Sequence, residues 1–361
     1  MSPHMRKTGP RPRIAAPLIL VLVSTALLAT GCSRLGLGRA PATTVSRSTL
    51  GTVVTITVYG RDRAAVSAVV DRAFRAIDVL DRELDPYTAS SMISRFNADP
   101  YAWQRLPAGA VTVFDEMDRL GVGGAFVPTL WGATRLYDFG GTGSVPDPGE
   151  LRRVVAASGM FERRGASARF RGAPDSESTS ASLPGIDLGG AVKGLAIERA
   201  GEIIGTAPSI DGALLSAGST VLAVGRKPGG AWRIGIEDPR EPARIVAVVK
   251  GTTTLGSVST SGDYQLGFVR DGVRYHHILD PRTGKPVRGL RSLTVAGAMS
   301  ALDSDILSTA LFVMGVEKAH AYARDHGLAL YTVDDEGHAR ITPAPPDERF
   351  VLETVAEPRS R

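Results

Sequence analysis

Three short stretches concentrate residues able to do chemistry, and each falls at a joint between regular elements. In IDLGGAVKGLAIE (186–198), Gly189 and Gly190 precede a helix, where bare backbone can approach a ligand and the helix start offers N–H groups to an anion. Lys193 lies about one turn in, within reach of a phosphate; the alternative is a glycine turn followed by a solvated lysine. The pattern is neither G-x-G-x-x-G nor a Walker P-loop. The stretch VSTSGDYQLGFVRDGVRYHHILDPRTGKPV (258–287) holds two of the six histidines, His276 and His277. A strand points neighbours to opposite faces, so one enters a site and the other is structural or exposed. His277 facing a ligand would be a general base. In ALDSDILSTALFVMG (301–315), Asp305 and Thr309 are four apart and share a helix face. A carboxylate and a hydroxyl beside backbone carbonyls suit a hard cation, Mg2+ or Ca2+. Capping by Asp303 or Asp305, with Thr309 bonding back to its own helix, accounts for the same residues.

The elements that must carry these joints are an α+β mixture. TLGTVVTITVYG (49–60) alternates around β-branched residues and predicts a strand. Val66, Val69, Val70, Phe74, Ile77, Leu80 and Leu84 fall at helical spacing over 62–84, and Asp85-Pro86 ends that helix. Helices are also predicted over 90–96, 111–120, 151–158, 191–205, 301–314 and 316–326. Strands are predicted over 212–224, 231–237, 245–250, 253–259, 291–297 and 328–333, with a hairpin turning at Arg270-Asp271-Gly272. Residues 171–185 read as a loop, and the end of the chain as an edge strand with a loose terminus.

The length, 361 residues, allows two domains or one large one, and 43% hydrophobic with 22% charged residues is ordinary globular composition. The net charge of +5 is mostly a property of the first residues: Arg6, Lys7, Arg11 and Arg13 precede Cys32, leaving 38 basic against 37 acidic residues from there on. No basic run with interleaved aromatics follows, so no nucleic-acid partner is expected. The single cysteine excludes an intramolecular disulfide and a zinc site of two or four cysteines. Residues 1–31 read as an export signal, with a basic start, an uncharged run over 14–29 and small residues before Cys32. LLATGC resembles a bacterial lipobox, which implies cleavage before Cys32, lipidation of its sulfur and a membrane-anchored, exported protein facing the periplasm or cell exterior. Residues 32–48 then form the lipidated cysteine and tether, 49–345 the folded domain and 346–361 a tail.

Taken together, the blocks resemble the ApbE family, the FAD:protein FMN transferases. The resemblance runs from about Thr49 to Gly315: Leu50-Gly51-Thr52, DPYTASSMISRFN (85–97), FVPTLWGATRLYDF (126–139), DLGGAVKG (187–194), SGDY (261–264), YHHILDPRTG (275–284) and the Asp305–Thr309 block stand in family order. It implies an ApbE-like, T-fold-related fold of mixed sheets and packed helices, with FAD bound at the joint between subdomains and Mg2+ (Ca2+ the alternative) on its pyrophosphate. The FMN half would pass to a threonine of an exported or membrane flavoprotein acceptor carrying a D-x-x-(S/T)-G-A-T-like motif, releasing AMP. By motif position, Gly190, Asp305 and Thr309 would hold the metal. Leu50, Tyr87, Ala125, Phe126, Val127, Asp187, Lys193 and Ile278 would contact FAD, and His277 and Asp305 would be catalytic. The chain departs from the pattern at Leu50 (usually Met), Val127 (usually Asp) and Trp131 (usually Gly), and Ser216-Ala217-Gly218-Ser219 replaces a GGD-like segment. An FAD-binding lipoprotein without transfer, or an FAD pyrophosphatase, are the alternatives.

Overall fold

The computed structural model describes residues 42–173, 183–251, 256–345 and 350–355. The export signal, Cys32 and the first part of the tether lie outside them. In chain order the elements are β1 (Ala42–Thr49), β2 (Thr52–Gly60), α1 (Arg63–Leu84), α2 (Met92–Ala98), β3 (Gln104–Arg105), α3 (Ala108–Leu120), α4 (Trp131–Tyr137) and α5 (Pro148–Ser158). Next come β4 (Phe161–Arg164), β5 (Ser167–Phe170), α6 (Val192–Gly205), β6 (Ile210–Ala217), β7 (Thr220–Gly225), β8 (Trp232–Glu237), β9 (Ile245–Gly251) and β10 (Gly256–Gly262). The last are β11 (Gly267–Arg270), β12 (Val273–His276), β13 (Leu290–Gly297), α7 (Ala301–Met314), α8 (Val316–Asp325), β14 (Ala329–Asp334), β15 (Ala339–Thr342) and β16 (Phe350–Thr354).

An eight-stranded antiparallel sheet, ordered β1-β2-β6-β7-β10-β13-β14-β15, organises the α+β fold. On one face lie α1, α6 and α7. Val54, Ile56 and Val58 of β2 meet Phe74 and Ile77 of α1 and Ile197 of α6 in a fully buried cluster. Alternation along β2 puts these three valine and isoleucine side chains on one face. The opposite face is covered by a smaller sheet, β16-β9-β8, whose Trp232, Ile236 and Val249 pack over Ala223, Val258 and Tyr331. A separate cluster around Phe96, Phe114, Phe126 and Phe170 joins α2, α3 and β5 to Ile306 of α7 and Leu293 of β13, and a smaller one around Tyr137 and Leu151 joins α4 to α5.

Helix α1 starts at Asp62, whose carboxylate accepts from the Ala64 and Ala65 N–H groups, and ends at an extended Asp85 ahead of Pro86. Helices α6 and α7 cap each other. Neither Ala191 nor its neighbours give α6 a capping side chain; instead Asp305 of α7 accepts from the Gly194 N–H at 2.8 Å. Glu198 of α6 returns the favour by accepting from the Leu302 N–H at 3.0 Å. Each carboxylate thus faces the positive end of the other helix.

The structure departs from the sequence reading in several places. The segment read as tether becomes strand β1 from Ala42, paired along its length with β2; its small polar side chains hide a strand whose partner supplies the apolar face. The single strand expected over 212–224 is two, β6 and β7, reversing at Gly218 (φ +57°) and Ser219 between the apolar stretches 213–215 and 221–224. Helix α4 and strands β3, β4, β5 and β15 are too short for periodicity to register. Near the terminus the expected edge strand is present: β16 pairs with β9 and buries Phe350.

Arg240, in the β8–β9 connection, clamps the small sheet to the large one. Its guanidinium meets the buried Asp263 carboxylate at the end of β10 with two bonds of 2.7 Å, while Arg274 stays 3.8 Å away. Arg240→Ala is expected to destabilise the fold by about 2 kcal/mol, because it strands a buried carboxylate; the figure is discounted for the partial exposure of Arg240. Arg240→Lys should recover little, since one ammonium does not reproduce the fork. Chemical unfolding of the three proteins checks this, and equal midpoints would refute it.

Candidate functional site

The site forms where the start of α6 meets α7 and the end of β10. Asp305, buried in the middle of α7, spends Oδ2 on the Gly194 N–H. Its Oδ1 accepts from the Thr220 hydroxyl at 2.9 Å and lies 3.9 Å from Lys193 Nζ. Lys193 in turn donates to the Gly189 carbonyl at 2.8 Å, so its ammonium stands between the glycine turn and the carboxylate. One turn along α7, Thr309 Oγ1 lies 3.5 Å from the Asp305 carbonyl and 3.4 Å from Ser261 Oγ. The weak back-bond expected of a helical threonine is therefore present, but Thr309 also faces the glycine turn. A Cβ placed on Gly190 would sit 3.4 Å from Thr309 Oγ1 and 2.9 Å from Phe126 Cε2. A bare backbone is what lets Gly190 lie in that cradle. The donor set of a carboxylate, a hydroxyl and adjacent backbone carbonyls is all oxygen and fits a hard cation.

Neither Asp303 nor Asp305 caps α7; Ser300 does, accepting from the Asp303 N–H. Asp303 instead faces Glu116 and Arg119 of α3. Burial, and then the neighbouring Glu116, push its carboxyl up to about 6.

Asp187 precedes the glycine turn and accepts from the Gly189 N–H at 2.8 Å. Burial raises its carboxyl above the ordinary range, and the Gly189 bond and Lys193 oppose the rise. Its own N–H donates to Pro128, and Asn97 clamps the preceding residue by accepting from the Ile186 N–H and donating to the Ile186 carbonyl. These bonds tie the segment of Phe126 and Val127 to that of Asp187. Tyr87, 70% exposed, stands edge-on to Trp131 with ring centroids 5.1 Å apart. The bulk of Trp131 goes inward: its indole is buried over Gly185, where a Cβ would come within 2.5 Å of it.

The two histidines separate as alternation requires. His276 is buried, bonded through Nε2 to the Val287 carbonyl and edge-on to Phe312. His277 is half-buried, with Nδ1 3.2 Å from the Leu266 carbonyl. That carbonyl fixes the proton on Nδ1 and leaves Nε2 as acceptor. Burial pushes the His277 imidazole down to about 4, with Leu266 opposing and nearby Lys193 adding to the fall.

Ala125, Phe126 and Ile278 are core residues, and Val127 is half-buried against the smaller cluster of Leu130 and Tyr137. Leu50 occupies the tip of the β1–β2 hairpin at φ +56° beside Gly51 at +66°. A leucine in this region costs on the order of 1 kcal/mol; Asp81 holds the tip by accepting from the Leu50 N–H and the Thr49 hydroxyl, both at 3.1 Å. The hairpin reaches the other residues through Thr52 and Gly218, beside which the Lys193 stem lies.

Sequence reasoning missed Thr220, Ser259 and Asn97 as individual contributors. Ser257, Ser259 and Ser261 recur at period two along β10, so a polar inner face was legible there. Two other features share little with the site. A cavity of about 320 Å3 between α3 and the 122–129 segment includes Phe126 and Val127 but none of the site's ionisable groups. Asp334, Glu336 and His338, on the exposed β14–β15 turn, group within 4.8 Å and share no residue with it.

The sequence model of the ApbE family matches residues 50–332. The chain belongs to the ApbE family. An FAD:protein FMN transferase of Treponema pallidum is 31% identical over 354 residues, covering 88% of this chain and 93% of its own. The crystal structure of the Thermotoga maritima ApbE protein superposes with a TM-score of 0.72 at 27% identity, covering 83% of this chain and 96% of its own. The apo Pseudomonas stutzeri flavinyl transferase ApbE gives 0.67 at 27% identity, over 89% and 96%. The layered ApbE architecture therefore holds across nearly the whole length of these relatives.

Proposed function

We propose that this ApbE-family chain is an FAD:protein FMN transferase that moves the FMN half of FAD to a threonine hydroxyl of an exported acceptor. The observation that carries the reading is the convergence of Lys193, Asp305, Thr309 and the Gly189-Gly190 turn at the start of α6. In the reaction a bond forms between the threonine oxygen and the FMN phosphorus, the pyrophosphate P–O bond breaks, AMP leaves and the hydroxyl proton must be taken up. Phosphoryl transfer depends mainly on positioning and on stabilising charge at the phosphates. Lys193 and the α6 start supply positive potential to the pyrophosphate. Gly190, Asp305 and Thr309 would hold Mg2+, with Ca2+ the alternative; when bound, the cation neutralises pyrophosphate charge. Tyr87 and Leu50 offer exposed and half-buried surface to the flavin, and Nε2 of His277 accepts the proton.

Incubating the chain with FAD, Mg2+ and a protein bearing a D-x-x-(S/T)-G-A-T-like segment should add the mass of FMN to that protein, and EDTA should abolish the increment. FAD cleaved equally well to FMN and AMP with no acceptor modified would instead make the chain a pyrophosphatase. FAD retained uncleaved would make it a binding protein, with Val127 the first position to change to Asp.

The depressed His277 imidazole sets the pH dependence. A base must be neutral to accept a proton, and His277 is neutral above about pH 4. Transfer should therefore show no acid limb near pH 6.5, and its rate should stay flat from pH 7 down to about 5.5. A limb at 6.5 that disappears in His277→Gln would refute this assignment of the histidine's state.

We also propose that Cys32 is lipidated and anchors the exported chain, on the basis of the LLATGC pattern after the apolar run. Cys32→Ala should abolish incorporation of labelled palmitate and release the protein from membranes; unchanged labelling would overturn the anchor.

A further inference from the structure

An unbroken run of hydroxyl groups joins the Asp305 carboxylate to Thr309. Thr220 Oγ1 lies 2.9 Å from Asp305 Oδ1 and 3.0 Å from Ser259 Oγ. Ser259 is 3.2 Å from Ser308, Ser308 is 3.0 Å from Ser261, and Ser261 is 3.4 Å from Thr309 Oγ1. Thr220, Ser259, Ser261 and Ser308 are all buried. An inner sheet face ordinarily carries apolar side chains, and β10 spends two of its inward positions on this run.

The sense of the run follows from proton counting. Each hydroxyl has one proton, and an ionised carboxylate only accepts. Thr220 must therefore donate to Asp305. Ser308 donates to the Asp305 carbonyl of its own helix at 3.0 Å, so the Ser261–Ser308 contact needs the Ser261 proton, while Ser259 has Thr220, Ser308 and, at 3.5 Å, Asp305 Oδ1 as acceptors. The last contact needs the proton of Thr309. The Thr309 proton is thus directed to Ser261 or to the Asp305 carbonyl of its own helix, and its lone pairs are left for the side on which Gly190 lies.

We propose that Thr220, Ser259, Ser308 and Ser261 are positioning residues that present Thr309 to a cation by its lone pairs and hold the Asp305 carboxylate in register. The inference rests on the cation site of the proposed transferase. It extends that site by four side chains that do not touch the ion. A threonine whose proton pointed toward the ion would repel it, and an unheld carboxylate would swing to other donors.

The test is Mn2+ binding to the full chain with FAD present and no acceptor, read from the loss of the free-ion electron paramagnetic resonance signal. Thr220→Val, which keeps the shape and removes the hydroxyl, should weaken Mn2+ binding by about 10- to 100-fold, the usual effect of removing such outer partners. Thr220→Ser should stay within about threefold of the parent. Ser261→Ala, at the far end of the run, should match Thr220→Val, and it decides the matter if the valine variant does not fold. Thermal unfolding of each variant separates lost affinity from lost structure. Mn2+ binding unchanged in Thr220→Val and Ser261→Ala but lost in Asp305→Ala would overturn the positioning role alone. Equal binding by the parent and Asp305→Ala would overturn the cation site and this inference with it.

Discussion

Asp305→Asn is expected to lower FMN transfer on the order of a thousandfold, about 4 kcal/mol in barrier height, while leaving the chain folded. The carboxylate is buried and meets the Gly194 N–H, the Thr220 hydroxyl and the Lys193 ammonium. Asparagine can keep one oxygen on the Gly194 N–H, so the junction of α6 and α7 should lose only about 1 kcal/mol, mostly the favourable placement of negative charge at the start of α6. Its amide nitrogen has no negative charge to offer a cation or to balance Lys193. It also opposes a donor where Thr220 needs an acceptor, which removes the anchor of the buried hydroxyl run. The measurement is the rate of FMN incorporation by intact mass, paired with thermal unfolding. Transfer within tenfold of the parent would show that the reaction does not depend on the Asp305 charge.

Gly194→Ala is the second large effect, and it acts through stability. A Cβ at this position would overlap the Ala301 carbonyl oxygen and lie 2.7 Å from Asp305 Cβ. The first obstacle is backbone, and it cannot step aside as the end of a flexible chain would. Helices α6 and α7 must separate, and separation stretches both crossed caps, Gly194 to Asp305 and Leu302 to Glu198. The expected cost is about 3 kcal/mol, at the upper end of overpacking penalties. At roughly 2–4 °C per kcal/mol for a domain of this size, the unfolding midpoint should fall by about 6–12 °C. Transfer should fall as well, even at temperatures where the protein stays folded, because Asp305 and Lys193 ride on the helices that move apart. Alanine is otherwise a better helix residue than glycine, so an unchanged or raised midpoint would show that the junction is slack.

These two residues differ in how far the sequence exposes them. Asp305 is conspicuous, an acid within an apolar helix four residues ahead of a threonine. Gly194 reads as an ordinary glycine in a helix, and nothing local says that another helix backbone presses on it. The same contrast runs through the fold. Long elements with strong periodicity, such as α1 and β2, are evident from their own residues. Strand β1 is not, because its mostly small polar and β-branched residues, Arg47 among them, obtain their partner from β2. The β6–β7 reversal is hidden because apolar residues continue on both sides of Gly218. Trp131 reads as bulk added beside a ligand, yet it packs inward over Gly185, a residue 54 positions away that only packing brings near.

The chemical inventory and its local geometry are legible in the residues alone: a glycine turn and lysine at a helix start, an acid and a hydroxyl on one helix face, and two histidines on opposite sides of a strand. Those relations follow from the periods of helix and strand, which operate over a few residues. Only the packed chain shows that Asp305 caps α6 across 111 residues, that Thr220 reaches it across 85, and that four buried hydroxyls link the acid to Thr309. Such relations depend on how close two helices come and on which strand lies beneath them. Packing sets both, because a buried polar atom must find its partner wherever the folded chain brings one.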